Sequence, residues 1–345
     1  MAKSSANRIT SIKEIAKIAG CSIATVSNTL NGKGRISQEV RDKVFAICKK
    51  YGYLPNSAGR NLRRRRNETI GVIFYPSTSA IFSNIYYAEI MAAVESTLES
   101  KNHDLLLSGF QTATADNKGS LRIVRQGKVD GVILLGHFPR QIVKQFKDYG
   151  LPIILLDDRK LRIQVDAVTT DGYKAGREIV DHLVSLGHRR MAFMAYEQDG
   201  YNAEQRMAGF NDGIKAHNLP QTLNTSLKNF TVSPDGYEEL KTLLQRKRPP
   251  TAVVAVNDTL AWDLLQYLKE DGISVPDDLS IFGFDDDSIG HNCYPPLSTV
   301  RVNKQELGRI GVETLLNRIE NPSAPVTVQH LPTELVHRQS VAACS

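Results

Sequence analysis

From Thr69 to Asp285 the chain repeats one pattern: a short unbroken apolar run, an interval of helix length, then another such run. The runs are TIGVIFY, DLLLSGF, VDGVILL and LPIILLDD, followed by RMAFMAY, TAVVAVN and LSIFGFD. A strand with one wet face alternates apolar and polar residues; runs that are apolar throughout belong to strands buried on both faces. Parallel sheets covered by helices on either side do this, so the pattern predicts an α/β core wound twice over, as two Rossmann-like lobes. The helix from Tyr173 to Leu186 leads toward the second lobe, and Thr299 to Lys304 and Val328 to Pro332 are the segments expected to cross back.

Ahead of Thr69 the chain changes character. Residues 1–66 carry 15 of the 43 lysines and arginines but 3 of the 37 acids, a net of +12 against −6 for everything that follows. That much positive charge on so short a segment calls for a polyanionic partner, and nucleic acid leads that class. Within the segment, Ser11 followed by Glu14 reads as a capping box, with Ile12, Ile15, Ala16 and Ala19 on one helix face and Gly20 to stop it. Ser22 caps a second helix, IATVSNTLN, whose Val26 and Leu30 face inward. Ser37 precedes a third, with Val40, Val44, Ile47 and Tyr51 as its apolar stripe. Two short helices joined by a glycine turn make a helix-turn-helix.

In such a module the second helix enters the major groove with its N-terminal residues against base edges. Ile23, Ala24 and Asn28 are the outward positions: the Asn28 amide matches adenine N7 and N6, and the two apolar side chains suit a thymine methyl. Ser22, Thr25 and Ser27 offer hydroxyls to phosphates. A plain helical bundle with a polar outer face has the same periodicity, so the flanking sequence has to separate the two. IKEIAKIAGCSIATVSNTLNG followed by YGYLPNSAGRNLRRRR resembles the headpiece of the lactose-repressor/galactose-repressor (LacI/GalR) family of transcription regulators. Ala19-Gly20, Thr25-Val26-Ser27, Leu30-Asn31-Gly32, Gly52-Tyr53 and Pro55-Asn56 match that pattern at its spacing, and the resemblance extends over nearly the whole chain. Asn28 stands where many members carry Arg, which leaves the operator sequence open, and Gly59 stands where Ala is usual, which loosens the hinge.

The resemblance implies a helix-turn-helix headpiece over 1–55 and a hinge helix and linker over 56–68. It implies a two-lobed periplasmic-binding-protein-like core over 69–345, with one lobe at about 69–186 and 300–328 and the other at about 187–299 and 329–345. Asn56 begins the segment that forms the family's hinge helix on DNA. Leu62 occupies the position whose side chain wedges into the minor groove, where unstacking is exchanged for a bend. The plainer role for Leu62 is a linker residue packed on the core. The run Arg63 to Arg66 is read as phosphate contacts, with a solvated charged linker as the alternative.

Ligands of open α/β sheets bind beyond the carboxyl ends of strands. Asp157 and Asp158, Asn257 and Asp258, and Asp285 to Asp287 all stand there, and such groups suit a polyhydroxylated ligand whose hydroxyls both donate and accept. The resemblance singles out Asp171, Arg206, Asn257 and Asp285 as effector contacts and puts Phe230 near a stacking aromatic. Plainer roles are open to some of them: Asp171 and Asp258 as helix caps, Arg206 as half of a structural ion pair. Ser77 to Phe82 departs from the family's Asn-Pro-Phe string, so the first lobe's side of the cleft names no ligand.

Other classes fit less well. Three adjacent aspartates suggest a metal-dependent enzyme, yet the chain has no GxxxxGK[ST], no GxGxxG after its first run, no HExxH and no GxSxG. Its 8 histidines form no helical pair with a second His or Cys. A sugar-binding transport receptor of the same build needs an export signal, and MAKSSANRITS offers none. Cysteines 21, 48, 293 and 344 lack CxxC spacing, and no stretch approaches the ~18 apolar residues of a membrane span. The expectation is a cytoplasmic, ligand-responsive repressor, not an enzyme, with no metal and no cofactor. Its expected partners are an operator duplex and a sugar or related metabolite. One headpiece reads too few base pairs for specificity and a Leu62 wedge works in pairs, so a homodimer is expected. The chain ends seven residues after Arg338, too soon for a coiled-coil tail.

Overall fold

The computed structural model describes residues 11–30, 33–51, 53, 66–74, 84–109, 118–159, 163–195, 200–220 and 235–344. Two compact units divide the chain, Met1–Asn67 and Glu68–Ser345.

The first unit holds three helices, α1 (Ile12–Ala19), α2 (Ile23–Leu30) and α3 (Gln38–Tyr51). The capping box forms: Ser11 Oγ accepts from the Glu14 N–H at 3.4 Å, and the Glu14 carboxylate accepts from the Ser11 N–H at 3.3 Å. Gly20 adopts φ +67°, the left-handed conformation that ends α1 and lets its N–H bond back to the Ala16 carbonyl. Ile15, Ala16, Ala19, Val26, Val44, Cys48 and Tyr53 close a small core, with Val40, Ile47 and Tyr51 half-buried at its edge as the stripe predicts.

The second unit begins with a parallel sheet of β1 (Thr69–Phe74), β2 (Asp104–Gly109), β3 (Gly131–Leu135), β4 (Ile153–Leu156), β5 (Asp166–Thr170) and β10 (Val328–Leu331), in the order β10-β5-β4-β3-β1-β2. Strands β3 and β4 are buried at every residue, as their unbroken apolar runs require, and β5 is buried throughout as well although Asp166, Thr169 and Thr170 are polar. Helices α4 (Ile85–Ser100) and α12 (Lys304–Glu320) cover one face, contributing Ile90, Val94, Leu98, Leu307, Val312 and Leu315. On the other face Ile123 of α5 (Lys118–Arg125) and Ile142, Val143 and Phe146 of α6 (Arg140–Asp148) pack with Phe138.

The second lobe is built on β6 (Met191–Met194), β7 (Ala252–Ala255) and β8 (Ser280–Phe282), all parallel. Bridges Phe282–Ser298 and Asp285–Arg301 lay β9 (Thr299–Val302) beside β8, and β9 pairs antiparallel with β11 (Thr333–Val336). Its helices are α7 (Gly172–Ser185), α8 (Tyr201–Ala216), α9 (Asp235–Leu244), α10 (Asp258–Glu270) and the short α11 (Ser288–Asn292). Helices α7 and α8 meet backbone to backbone: a Cβ on Gly176 would lie 2.2 Å from the Arg206 carbonyl oxygen, and one on Gly209 would lie 1.9 Å from that of Tyr173.

The chain passes between the lobes at Asp171, Asn303 and Pro332, and the Asp171 N–H bonds to the Leu331 carbonyl across two of these crossings. The boundaries therefore differ from those expected near 186, 300 and 328. Helix α7 packs on α8 in the second lobe, β9 stays there to Val302, and β10 pairs with β5 of the first lobe to Leu331. The apolar face of α7 suits either lobe, and only strand pairing, which periodicity does not report, decides between them.

Candidate functional site

On α2 of the first unit, Val26 is fully buried while Ile23, Ala24 and Asn28 are exposed. An isoleucine left 44% exposed in a unit with so small a core is a side chain presented outward, beside an amide that can read a base edge. Ser22 Oγ accepts from the Thr25 N–H at 3.0 Å and sits 2.9 Å from Thr25 Oγ1, so these two hydroxyls begin the helix as a pair. Ser27 is half-buried on the same helix. Asn56 and Leu62 lie outside the described residues, as do Gly59, Arg63 to Arg65 and Ser77 to Phe82.

In the second unit a cavity of about 150 Å³ opens beyond the carboxyl ends of the strands. Its lining draws on both lobes: Tyr86 and Tyr87 of α4, His137, Asp157 and Asp158 from the first, and Asn202, Arg206, Asn257 and Asp285 from the second. Arg206 is buried, and its guanidinium lies 3.6 Å over the Phe284 ring. It donates to the Val256 carbonyl at 2.6 Å and to Asp285 Oδ1 at 3.0 Å. The backbone contact at Gly176 seats this stretch of α8.

The first-lobe wall is acidic. Asp157 accepts from the Tyr86 hydroxyl at 2.9 Å and from Asn202 Nδ2 at 2.7 Å. Asn202 also donates to the Asp157 carbonyl at 3.0 Å and accepts from the Thr169 hydroxyl at 2.6 Å, so the start of α8 is bonded across the cleft. Asp158 accepts from the N–H groups of Phe138 and Arg159, with His137 Nδ1 3.7 Å away. The rims meet at Gly200, where a Cβ would lie 2.0 Å from His137 Nδ1. Burial pushes the Asp157 carboxyl up to about 6, against the pull of Arg206 and the Tyr86 hydrogen bond. Burial likewise raises Asp285, opposed by Arg206, and lifts both tyrosine phenols well above their usual range. Three carboxylates and one guanidinium therefore line the cavity, a balance that repels anions and suits hydroxyl groups.

Of the residues singled out in the sequence, Arg206, Asn257 and Asp285 come together in this lining. Asp171 is not among the described lining residues; it caps α7, accepting from the Lys174 N–H at 3.1 Å. Phe230 lies outside the described residues. The expected cap of α10 is corrected by one position. Asn257 caps it, accepting from the Leu260 N–H at 2.8 Å, while Asp258 is fully buried and accepts from the Thr299 hydroxyl at 2.6 Å and the Asp287 N–H at 2.9 Å. Tyr86, Tyr87, His137 and Asn202 were not anticipated. Asn202 had a readable signal, because a helix that starts next to a strand end points its first residues at the ligand position, and Arg206 is one turn further on.

Comparison with known proteins follows the same division. Residues 11–56 match the family model for bacterial regulatory proteins, lacI family, and residues 180–341 match the periplasmic binding protein-like domain. The HTH-type transcriptional regulator DegA of Bacillus subtilis (strain 168) is 30% identical over 339 residues, covering 96% of this chain and 98% of its own. The ribose operon repressor of Haemophilus influenzae is 28% identical over 330 residues, with the same coverage of 96% and 98%. Among solved structures, a LacI family transcriptional regulator from Enterococcus faecium with bound ribose is 29% identical with a TM-score of 0.69, covering 80% of this chain and 100% of that one. With the outward face of α2 in one unit and a cavity framed by two parallel sheets in the other, this chain belongs to the LacI family of bacterial transcriptional regulators.

Proposed function

We propose that the chain is a transcriptional repressor that binds a palindromic operator as a dimer and answers to an uncharged sugar in the cavity of its second unit. The observation that carries this reading is the exposed ridge of Ile23, Ala24 and Asn28 on the second helix of a unit carrying +12. Ser22, Thr25 and Ser27 serve the backbone beside it, and Asn56 and Leu62 serve the hinge on bent DNA. Relatives named as a repressor and as a transcriptional regulator support regulation over catalysis, and a DNA-binding role assigns the chain to the cytoplasm. No helix among the described residues is long and apolar enough to cross a membrane.

A sugar fits the cavity because each hydroxyl can donate to a carboxylate and accept from an amide or guanidinium. The effector contacts in this reading are Arg206, Asn257 and Asp285, with Asp171 and Phe230 completing the second-lobe side. About 150 Å³ is well under the ~300–1,000 Å³ of pockets for drug-sized ligands, which favours a single ring. The carboxylate excess argues against sugar phosphates and nucleotides. Lobe closure on the sugar then shifts the spacing of the two headpieces.

Enrichment of operator sequences from random duplex DNA with the full chain, followed by thermal shift with D-ribose, D-galactose, D-glucose and their phosphates, tests both halves. The expected result is an enriched palindrome and stabilisation by one neutral sugar, ~2.7 kcal/mol at 100 times its Kd. No enrichment over bulk DNA would overturn the first half, and stabilisation by a phosphate alone would overturn the second.

A further inference from the structure

Lys304 is the first residue of α12, directly after the crossover at Asn303, and its side chain is 5% exposed. A cation at a helix N-terminus opposes the helix dipole, and burial strips it of water, so helix stability alone does not ask for lysine here. The ammonium group gathers contacts from both lobes. It donates to the carbonyl oxygens of Asp285 at 2.7 Å and Asp286 at 3.2 Å and pairs with Asp287 at 3.0 Å, all on the second-lobe loop after β8. From α4 of the first lobe, Glu89 lies at 3.5 Å and the Tyr86 ring at 5.7 Å.

Both ends of this arrangement reach the cavity. Asp285 and Asp286 hold φ of +112° and +54°, a left-handed path that non-glycine residues keep only when their surroundings impose it. The two carbonyls that Lys304 holds belong to these residues, and the Asp285 side chain is the partner of Arg206. On the first-lobe side, Tyr86 donates its hydroxyl to Asp157.

We infer that Lys304 is the positioning residue that couples the cavity to the first lobe, holding Asp285 onto Arg206 and tying that loop to α4. A ligand that displaces Asp285 moves the carbonyls under the ammonium group and with them its grip on Glu89 and Tyr86. The inference rests on the cavity being the effector site, and it is tested without DNA or sugar, so a failed operator selection and a failed coupling are read separately.

Amide hydrogen exchange of the full chain, followed by mass spectrometry, supplies the test. Asp285→Asn keeps the shape of the side chain and weakens its hold on Arg206. In the parent background it should raise exchange along Ile85–Ser100 by on the order of 2- to 30-fold. In the Lys304→Met background the same change should add nothing along that helix, and Lys304→Arg should restore the response. Glu89→Gln, at a half-exposed position, breaks only the α4 end and serves where Lys304→Met does not fold. A lysine with only a structural role gives the Asp285→Asn increment equally in every background. That result, or no change in Ile85–Ser100 in the parent, overturns the inference.

Discussion

The two units of this chain bury themselves to very different extents. The first closes a single small cluster around Ile15, Val26 and Val44 and carries one buried polar side chain, Thr29, among its described residues. The second packs apolar layers on both faces of its larger sheet and also buries Asp157, Asp158, Asp166, Asp258, Asp285 and Asp287. A small unit has little apolar surface to withdraw from water, so its fold is marginal and its charge is left for a partner. A large core has stability in reserve, and it can hold buried carboxylates and left-handed aspartates where a ligand needs them. The largest expected effect tests the partner side of this contrast. If a dimer neutralises ~6 to 10 phosphates, operator affinity falls by ~10³ to 10⁵ between 50 and 200 mM salt, while sugar affinity in the second unit stays nearly flat. Parallel filter-binding and calorimetric titrations read the two, and a steep salt slope for the sugar would erase the distinction.

Arg206→Ala tests the reserve of the second unit. The substitution leaves Asp285 buried without its guanidinium, a loss of about 3–5 kcal/mol. Sugar affinity should fall ~30-fold or more, because a charged hydrogen-bonding group is removed from the lining. Urea unfolding followed on the second unit measures the first effect. An unmoved midpoint would mean that the ion pair contributes nothing net.

Ile15→Ala, in turn, removes a fully buried side chain from the smaller core and should cost ~2–5 kcal/mol. That is a large share of what holds a unit of this size together, so the headpiece should lose helical signal without DNA. The second unit should keep its transition and its sugar-induced shift. Should both units soften together in calorimetry, they are one cooperative body and the comparison fails.

What the sequence disclosed also divides along these lines. The headpiece was legible because its signals are local: Ser11 and Glu14 three apart, Gly20 at the turn, Val26 four residues before Leu30. The central strands were legible because burial on both faces erases alternation, whereas β5, buried with Asp166, Thr169 and Thr170 in it, carries no apolar run and gave no such signal. The lobe boundaries were not, since α7 has an apolar face that fits either lobe and β9 is short enough to read as a connection. In the cavity, strand-end positions pointed to Asp157, Asp158, Asn257 and Asp285, and Arg206, inside α8, was reached only through the family resemblance. Tyr86 and Tyr87 stand in the first turn of α4, and His137 follows a strand with no distinguishing neighbour. Their roles depend on which lobe faces which, and that is a property of the assembled sheets. Asp258 and Asn257 are adjacent polar residues at one strand end, and only the direction in which the helix begins decides which of them caps it.

Asp258 supplies the smallest effect and the finest division between the units. Burial pushes its carboxyl up to about 7, although the Thr299 hydroxyl and the Asp287 N–H pull the other way. An unfolded aspartate releases its proton near 3.8, so between that pH and about 7 the folded chain keeps a proton that the unfolded chain has lost. Its contribution to stability is complete below about 4 and declines as pH rises toward 7, by at most ~1.4 kcal/mol per pH unit. Asp157, raised to about 6, adds to the decline over the lower part of this range. Asp286 runs the opposite way. Despite partial burial, Arg338, Arg301 and His291 hold it at about 2, so its contribution is present above about 4 and is lost only as pH falls toward 2. Between pH 4.5 and 6.5 the raised acids contribute a falling slope, while His182 and His188, whose imidazoles burial holds below their usual range, contribute a rising one; among the described residues every buried carboxylate lies in the second unit. Asp258→Asn cannot titrate, and the hydrogen bond it loses from the Asp287 N–H lowers stability by the same amount at every pH in this range. The histidines are common to both proteins, so across that interval the parent should lose stability with rising pH relative to the variant, read as a urea midpoint of the second unit that falls more steeply, or rises less, in the parent. Equal slopes would mean that Asp258 is already ionised in the folded chain, with its two donors outweighing its burial.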